Sequence, residues 1–378
     1  MRKKIVAISL LIFLCSGTIS DAKEMEIPAP SVILIERDTG VVLTEKNSHE
    51  QLPPASMTKI MTMILIMEAL DEKKITLKEE VVASERAASM GGSQIFLEAG
   101  EVMTVNDLLK GVAIASGNDA SVALAEHLYG SEEAFVKQMN KKAKQLGLKN
   151  THFENATGLP AKNHYSSAYD MAKMAKELLK HEKIIDYTKQ YEDYLRKGTD
   201  REFWLVNTNR LVRFFDEVDG LKTGYTSEAK YCLTATAKKG DMRVISVVMG
   251  AESPKERNKM TMDLFAYAFS SFETKKQYTK GSVVRNVPIE KAKQQTISIV
   301  TNEDVSILTK KGQTEKWEES IHLDELTLPI KKGQKVGKLT LKQEGKVMVE
   351  TDLIAKETIE EASVFTFFTR SLRSLTHR

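Results

Sequence analysis

Ser56 and Lys59 stand three residues apart at the head of an apolar run that reads as a helix, so a hydroxyl and an amine project from one face within one turn. A serine needs a base beside it to act as a nucleophile. An amine serves once burial and neighbouring positive charge bring its pKa down from about 10.4 toward neutrality. The helix start adds free backbone N–H groups and the positive dipole end beside the reacting carbonyl. Alone the pattern is weak, because Ser227-Glu228-Ala229-Lys230 fits it equally well. Two further elements follow in order, Ser116-Gly117-Asn118 and Lys222-Thr223-Gly224, and three matches in sequence single out Ser56.

Each element has a task in acyl transfer. Ser116 is placed to pass a proton toward a leaving amine, and Asn118 to hold the Lys59 side chain and a substrate amide. Lys222 and Thr223, on the first strand after a helical block, offer an ammonium and a hydroxyl to a carboxylate, and Gly224 is expected to let a substrate backbone lie against that strand. The backbone N–H groups of Ser56 and Tyr225 are the expected oxyanion hole.

SxxK, SxN and KTG in this order resemble the penicillin-recognising serine acyl transferases, which include penicillin-binding proteins and class A β-lactamases. The likeness runs past the motifs. Pro54 to Thr62, Ala115 to Ser121, Tyr165 to Met171 and Val218 to Thr226 are similar to the low-molecular-mass D-alanyl-D-alanine carboxypeptidases, and Met90 to Leu97 is similar to the loop bordering their active site. The chain also resembles the branch from spore-forming bacteria. The resemblance implies removal of the terminal D-Ala from peptidoglycan stem peptides ending in D-Ala-D-Ala, with β-lactam antibiotics as covalent inhibitors, no cofactor and no metal. It further implies that Arg210 and Arg257 help bind the terminal carboxylate.

Elements able to position these groups are legible around them. Two strands near Val32–Ile35 and Val41–Leu43 open the chain, and helical patterns follow at 56–70, 105–114, 118–128, 132–146 and 168–181. Strands then recur at 221–226, 231–237 and 243–249 before a helix that opens at Pro254. This order predicts an α+β domain, an antiparallel sheet packed with helices, and the resemblance makes it penicillin-binding-protein/β-lactamase-like. Short β runs between Gly and Lys from about 276 to 356 predict a small all-β domain. From Ser363 onward, Val364, Phe365, Phe368, Leu372 and Leu375 fall within an arc of about 100°, opposite Arg370 and Arg373, as in an amphipathic C-terminal helix shaped to lie on a membrane surface. The expected divisions are 1–22, 23–275, 276–356 and 357–378.

The first of these divisions is a leader. Arg2-Lys3-Lys4 precede an apolar run from Ile5 to Cys15 and small or polar residues up to Ala22, as in a secretory signal peptide. Removing it leaves Cys232 as the sole cysteine, inside a strand-like run that favours a buried, inert thiol. The expected location is the outer face of the cytoplasmic membrane. A net charge of +3 provides no footprint for nucleic acid, and the seven histidines show no metal-ligand spacing.

Two other readings are weaker. A class A β-lactamase needs a deacylating glutamate in an ExxLN-type loop between Asn118 and Lys222, and Glu154-Asn155-Ala156-Thr157 does not fit that pattern. A non-catalytic peptidoglycan-binding scaffold is expected to have lost Ser56, Lys59, Ser116 or Lys222, and all four are present. Choice of acceptor, and with it endopeptidase or transpeptidase activity, depends on groove shape.

Overall fold

The computed structural model describes residues 27–313 and 316–363. The signal peptide and the amphipathic helix expected from sequence lie outside the described residues. In chain order the first strands are β1 (Ser31–Glu36) and β2 (Val42–Lys46), followed by a 3-10 turn at Ala55–Thr58 that runs into α1 (Lys59–Asp71). The helical block continues with β3 (Glu80–Val82), α2 (Glu85–Ala88), β4 (Val102–Thr104), α3 (Val105–Ala113), α4 (Asn118–Tyr129), α5 (Glu132–Gln145), α6 (Ala168–Leu178) and α7 (Ile185–Thr188). A hairpin of β5 (Glu192–Leu195) and β6 (Phe203–Val206) and the short α8 (Leu211–Phe214) lead to β7 (Val218–Thr226), β8 (Lys230–Lys239), β9 (Met242–Ala251) and α9 (Pro254–Ser271).

Local chemistry sets the helix starts. Thr104, Ser131, Ser167 and Ser253 each accept a hydrogen bond from the backbone N–H three residues on, capping α3, α5, α6 and α9, and Pro254 occupies the first turn of α9. Each such cap contributes on the order of 1 kcal/mol.

The sheet is antiparallel in the order β2-β1-β9-β8-β7, which leaves β7 at an edge. Strand alternation divides its side chains between two cores. Ile33, Ile35, Ile245 and Val247 face the helical block, whereas Val32, Leu34, Val244 and Val248 face α9 through Met260, Leu264 and Phe265. Helix α1 passes through the first core with ten of its thirteen residues buried, and so is apolar on every side. Among those ten is Lys59, a charge-bearing side chain at the centre of the apolar block.

The second unit holds β10 (Phe272–Tyr278), β11 (Val283–Pro288), β12 (Thr296–Thr301), β13 (Val305–Lys310), β14 (Trp317–Leu323), β15 (Lys335–Gln343) and β16 (Lys346–Ala355). Five of them form a sheet in the order β11-β12-β16-β15-β14, and β10 pairs with β13. Residue 275 falls inside β10, which starts where the Phe272 ring packs edge-on against Tyr267. Position 357 is not yet tail, because Ile359 is fully buried and bridges Ile330, and Glu361 bridges Ala292. The units meet at the β1–β2 turn, where Asp38 Oδ2 accepts from Ser306 Oγ at 2.5 Å and the Asp38 carbonyl accepts from Lys176 Nζ at 3.0 Å.

Candidate active site

The turn ahead of α1 is built from a backbone that few residues adopt. Ala55 is buried with φ of 48°, the left-handed region where a Cβ is unfavourable. Two glycines close over it. A Cβ on Gly158, itself at φ of 87°, would lie 1.8 Å from the Ala55 carbonyl oxygen, and one on Gly224 would lie 2.8 Å from the Pro54 carbonyl oxygen. The bare face of Gly224 admits the Pro54–Ala55 turn.

Ser56 leaves this clamped turn with its hydroxyl 3.0 Å from Lys59 Nζ. The amine also donates to Asn118 Oδ1 at 2.6 Å and to the Thr157 carbonyl at 2.8 Å. A neutral amine has two N–H donors and one lone pair, so these two acceptors take up the donors and leave the lone pair for the Ser56 hydroxyl. Burial, then the Lys222 cation, hold Lys59 well below the usual lysine range, against a smaller opposite pull from Asp119.

Ser116 has φ of 64°, and its buried hydroxyl lacks a hydrogen-bond partner among the described residues. Two residues on, Asn118 opens α4 with a fixed amide: Oδ1 faces Lys59 and Nδ2 donates to the Gly91 carbonyl at 2.6 Å. Its backbone N–H donates to the Ser93 carbonyl at 2.7 Å. Asp119, buried, accepts from the backbone N–H groups of Ile95 and Leu97. The 91–97 loop is thus hung from the start of α4.

Lys222 and Gly224 share one face of β7, the face that meets Met57. Thr234, opposite Lys222 on β8, reaches Met57 Sδ at 3.2 Å, and a Gly224 Cβ would lie 3.3 Å from Met57 Cγ. Lys222 Nζ is buried and donates to the Thr223 carbonyl at 3.1 Å. Burial first, then Arg257, bring its pKa down to about 7. Arg257, on α9 and buried, is close enough for its charge to be felt there. Tyr225 is about half exposed and stacks on Tyr231 with ring centroids 4.4 Å apart.

Arg210 departs from the expected grouping. It is exposed, its guanidinium donates to Tyr191 Oη at 2.8 Å, and it lies over the Tyr191 ring. Two neighbours in this segment reach the KTG strand: Asn209 Nδ2 donates to the Gly220 carbonyl at 3.0 Å, and Thr208 Oγ1 accepts from Thr223 Oγ1 at 2.7 Å. Thr157, Gly158, Asp119 and His164 are likewise neighbours that motif reading does not mark. The Asn-x-Thr-Gly turn of residues 155–158 was the available signal, since Asn155 Oδ1 accepts from the backbone N–H groups of Thr157 and Gly158 and so aims the Thr157 carbonyl. Cys232 is buried as expected, with its thiol pushed up to about 11 by burial.

His164 locks this turn to the helix. Its Nδ1 accepts from the Glu154 backbone N–H at 3.1 Å, which leaves the proton on Nε2, 2.8 Å from Thr58 Oγ1. Burial, with a smaller push from His152, lowers its pKa to about 4. In the unfolded chain it titrates near 6.5. Between those values the unfolded state binds the extra proton, so stability falls as pH drops from about 6.5 to about 4, by about 3 kcal/mol at most. Denaturant titrations at pH 7 and pH 4.5 are expected to show this loss in the native protein and a smaller one in His164→Gln; equal losses would rule out His164 as its source.

A five-stranded antiparallel sheet between a helical block and one long helix, with a half-buried serine bonded to a buried lysine at the head of the central helix and a lysine-bearing edge strand beside it, defines an active-site-serine acyl transferase of the penicillin-binding kind. Residues 18–253 match the D-alanyl-D-alanine carboxypeptidase family model and residues 272–361 the C-terminal domain of penicillin-binding protein 5. The chain belongs to the D-alanyl-D-alanine carboxypeptidase family of serine peptidases. It is 59% identical to D-alanyl-D-alanine carboxypeptidase DacF of Bacillus subtilis, over 92% of this chain and 90% of that one. It is 37% identical to DacC of Escherichia coli, over 97% and 94% of the two chains. Penicillin-binding protein 5 of Haemophilus influenzae superimposes with a TM-score of 0.70 at 33% identity, covering 89% of this chain and 99% of that one. The protein is a serine hydrolase of the penicillin-binding class that acts on peptidoglycan as a D-alanyl-D-alanine carboxypeptidase.

Proposed function

We propose that Ser56 Oγ is the nucleophile of this reaction and Lys59 its base. Lys59 Nζ takes the hydroxyl proton as Ser56 attacks the carbonyl of the penultimate D-Ala, and the backbone N–H groups of Ser56 and Tyr225 receive the oxyanion. Ser116, whose buried hydroxyl has no hydrogen-bond partner among the described residues, relays the proton to the amine of the departing D-Ala. Lys222, supported by Arg257, and Thr223 hold the terminal carboxylate, with Thr208 as the partner that orients the Thr223 hydroxyl. Arg210, engaged with Tyr191, takes no part. Water then frees the acyl-enzyme, and a β-lactam ring opened by Ser56 leaves a longer-lived ester in the same place.

One observation carries this reading: the Lys59 amine, buried and depressed in pKa, has its two donors committed to Asn118 and Thr157 and lies 3.0 Å from Ser56 Oγ. No carboxylate joins that set among the described residues, and Glu154 is exposed beside His152, which weighs against a β-lactamase. Proteolysis and mass spectrometry of the penicillin-treated protein is expected to place the adduct on the peptide carrying Ser56. An adduct on Ser227 or elsewhere would overturn the assignment.

Export to the outer face of the membrane is part of the proposal, supported by the leader pattern of residues 1–22 and by a substrate that lies outside the cytoplasm. No helix of the described residues is long and apolar enough to cross a membrane. Peripheral attachment is assigned to the amphipathic tail from Ser363. A role in sporulation follows from the likeness of the motifs to the spore-former branch of the family.

A further inference from the structure

The β5–β6 hairpin turns one face inward and one outward. Leu195 and Leu205 are buried in the helical core, and alternation sends Glu192, Tyr194 and Trp204 the other way. Tyr194 and Trp204 are directly opposite in the ladder and remain 39% and 53% exposed. The indole is held: Trp204 Nε1 donates to Glu192 Oε2 at 3.2 Å, and Lys197 Nζ stands 5.7 Å from the Tyr194 ring. Two oriented rings edged by a carboxylate and an ammonium suit a sugar, whose C–H face stacks on rings while its hydroxyls find charged partners. They suit a lipid surface poorly, because Glu192 sits against the indole itself.

The hairpin is also within reach of the catalytic groups. From Trp204 the chain leaves β6 at Val206 and reaches Thr208, four residues on, which touches Thr223. At ~3.3 Å per residue the Trp204 and Thr208 Cα atoms are at most about 13 Å apart. Four stem-peptide residues, from the scissile carbonyl back to the sugar, extend over a similar ~13 Å. Arg196 and Arg201 bind the carbonyls of Ile95 and Phe96, so the hairpin is fastened to the loop that hangs from Asn118.

We propose that the Tyr194–Trp204 face docks the glycan backbone of peptidoglycan while a stem peptide attached to it enters the Ser56 site. This rests on the assignment of Ser56 as the nucleophile. The test compares native enzyme with Tyr194→Ala/Trp204→Ala on two substrates, a soluble acylated tripeptide ending in D-Ala-D-Ala and uncross-linked polymeric peptidoglycan with pentapeptide stems. The expected result is a loss in kcat/KM of about tenfold or more on the polymer, chiefly in KM, with hydrolysis of the soluble peptide unchanged. Equal effects on both substrates, or none on the polymer, overturn the proposal. Titration of a Trp317→Phe protein with glycan strands stripped of stem peptides is expected to change Trp204 fluorescence, a readout that does not depend on the double variant folding. No change with glycan, or a change seen only with anionic vesicles or on raising the protein concentration, assigns the face to a membrane or to a second copy and overturns it. Failure of the native enzyme on the soluble peptide would instead refute the Ser56 reading.

Discussion

Exchange of Lys59 for arginine is expected to slow penicillin acylation and D-Ala release roughly a thousandfold or more, close to the loss in Ser56→Ala. The cause is protonation. A guanidinium keeps its proton at any usable pH, whereas burial and then Lys222 hold the Lys59 amine well below the usual lysine range. Approximate length survives the exchange, so in a folded variant the loss reports the base. A thermal melt accompanies the rate measurement to show that the variant is folded. A folded Lys59→Arg enzyme that acylates within tenfold of native would remove Lys59 from the role of base.

Lys222→Ala is expected to cost on the order of 10²-fold in kcat/KM and to displace the pH profile as well. The first effect follows from losing the ammonium that meets the terminal carboxylate. The second follows from the influence of Lys222 on Lys59: with the neighbouring cation gone, the Lys59 pKa rises, less of it is neutral at a given pH, and the acid limb of kcat/KM moves to higher pH. Lys222 itself, brought to about 7 by burial and Arg257, recovers its charge when a carboxylate arrives beside it. Folded Lys222 holds its proton less tightly than unfolded lysine, so its removal is not expected to lower thermal stability. A profile unmoved on the pH axis would show that Lys222 does not tune the base.

Much of this was legible because periodicity and motif order report on long elements and on groups that touch substrate. The three motifs located Ser56, Lys59, Ser116, Asn118 and Lys222, and the structure gathers Ser56, Lys59 and Asn118 through direct hydrogen bonds. Backbone acceptors escaped, since the Thr157 carbonyl has no side-chain signature and is aimed by an Asx turn 98 positions from Lys59. Arg210 engages Tyr191. A charged residue near a motif draws attention, yet its neighbour Thr208 is the one turned toward Thr223, and the turn is set by Asn207 and Asn209, whose side chains bind nearby backbone. Short hairpins such as β5–β6 offer only four residues a strand, too few for alternation to stand out. The edges of the small domain carry no composition change: Phe272 and Ile359 are single apolar residues whose packing cannot be read without their partners.

Asn118 grips the base with one end of its amide and the 91–97 loop with the other. An antibiotic selects on acylation speed, and the loop offers it a lever that spares every motif residue. Any change at Gly91, Gly92 or Ser93 that lifts the loop pulls on the Asn118 amide and loosens Lys59, and Gly92 leaves no slack because a Cβ there would already lie 2.8 Å from Asn118 Nδ2. Drug tolerance acquired along this route would carry a matching loss of wall-trimming activity, so lineages under treatment would be expected to retain an unaltered loop or to recover it once the drug is withdrawn.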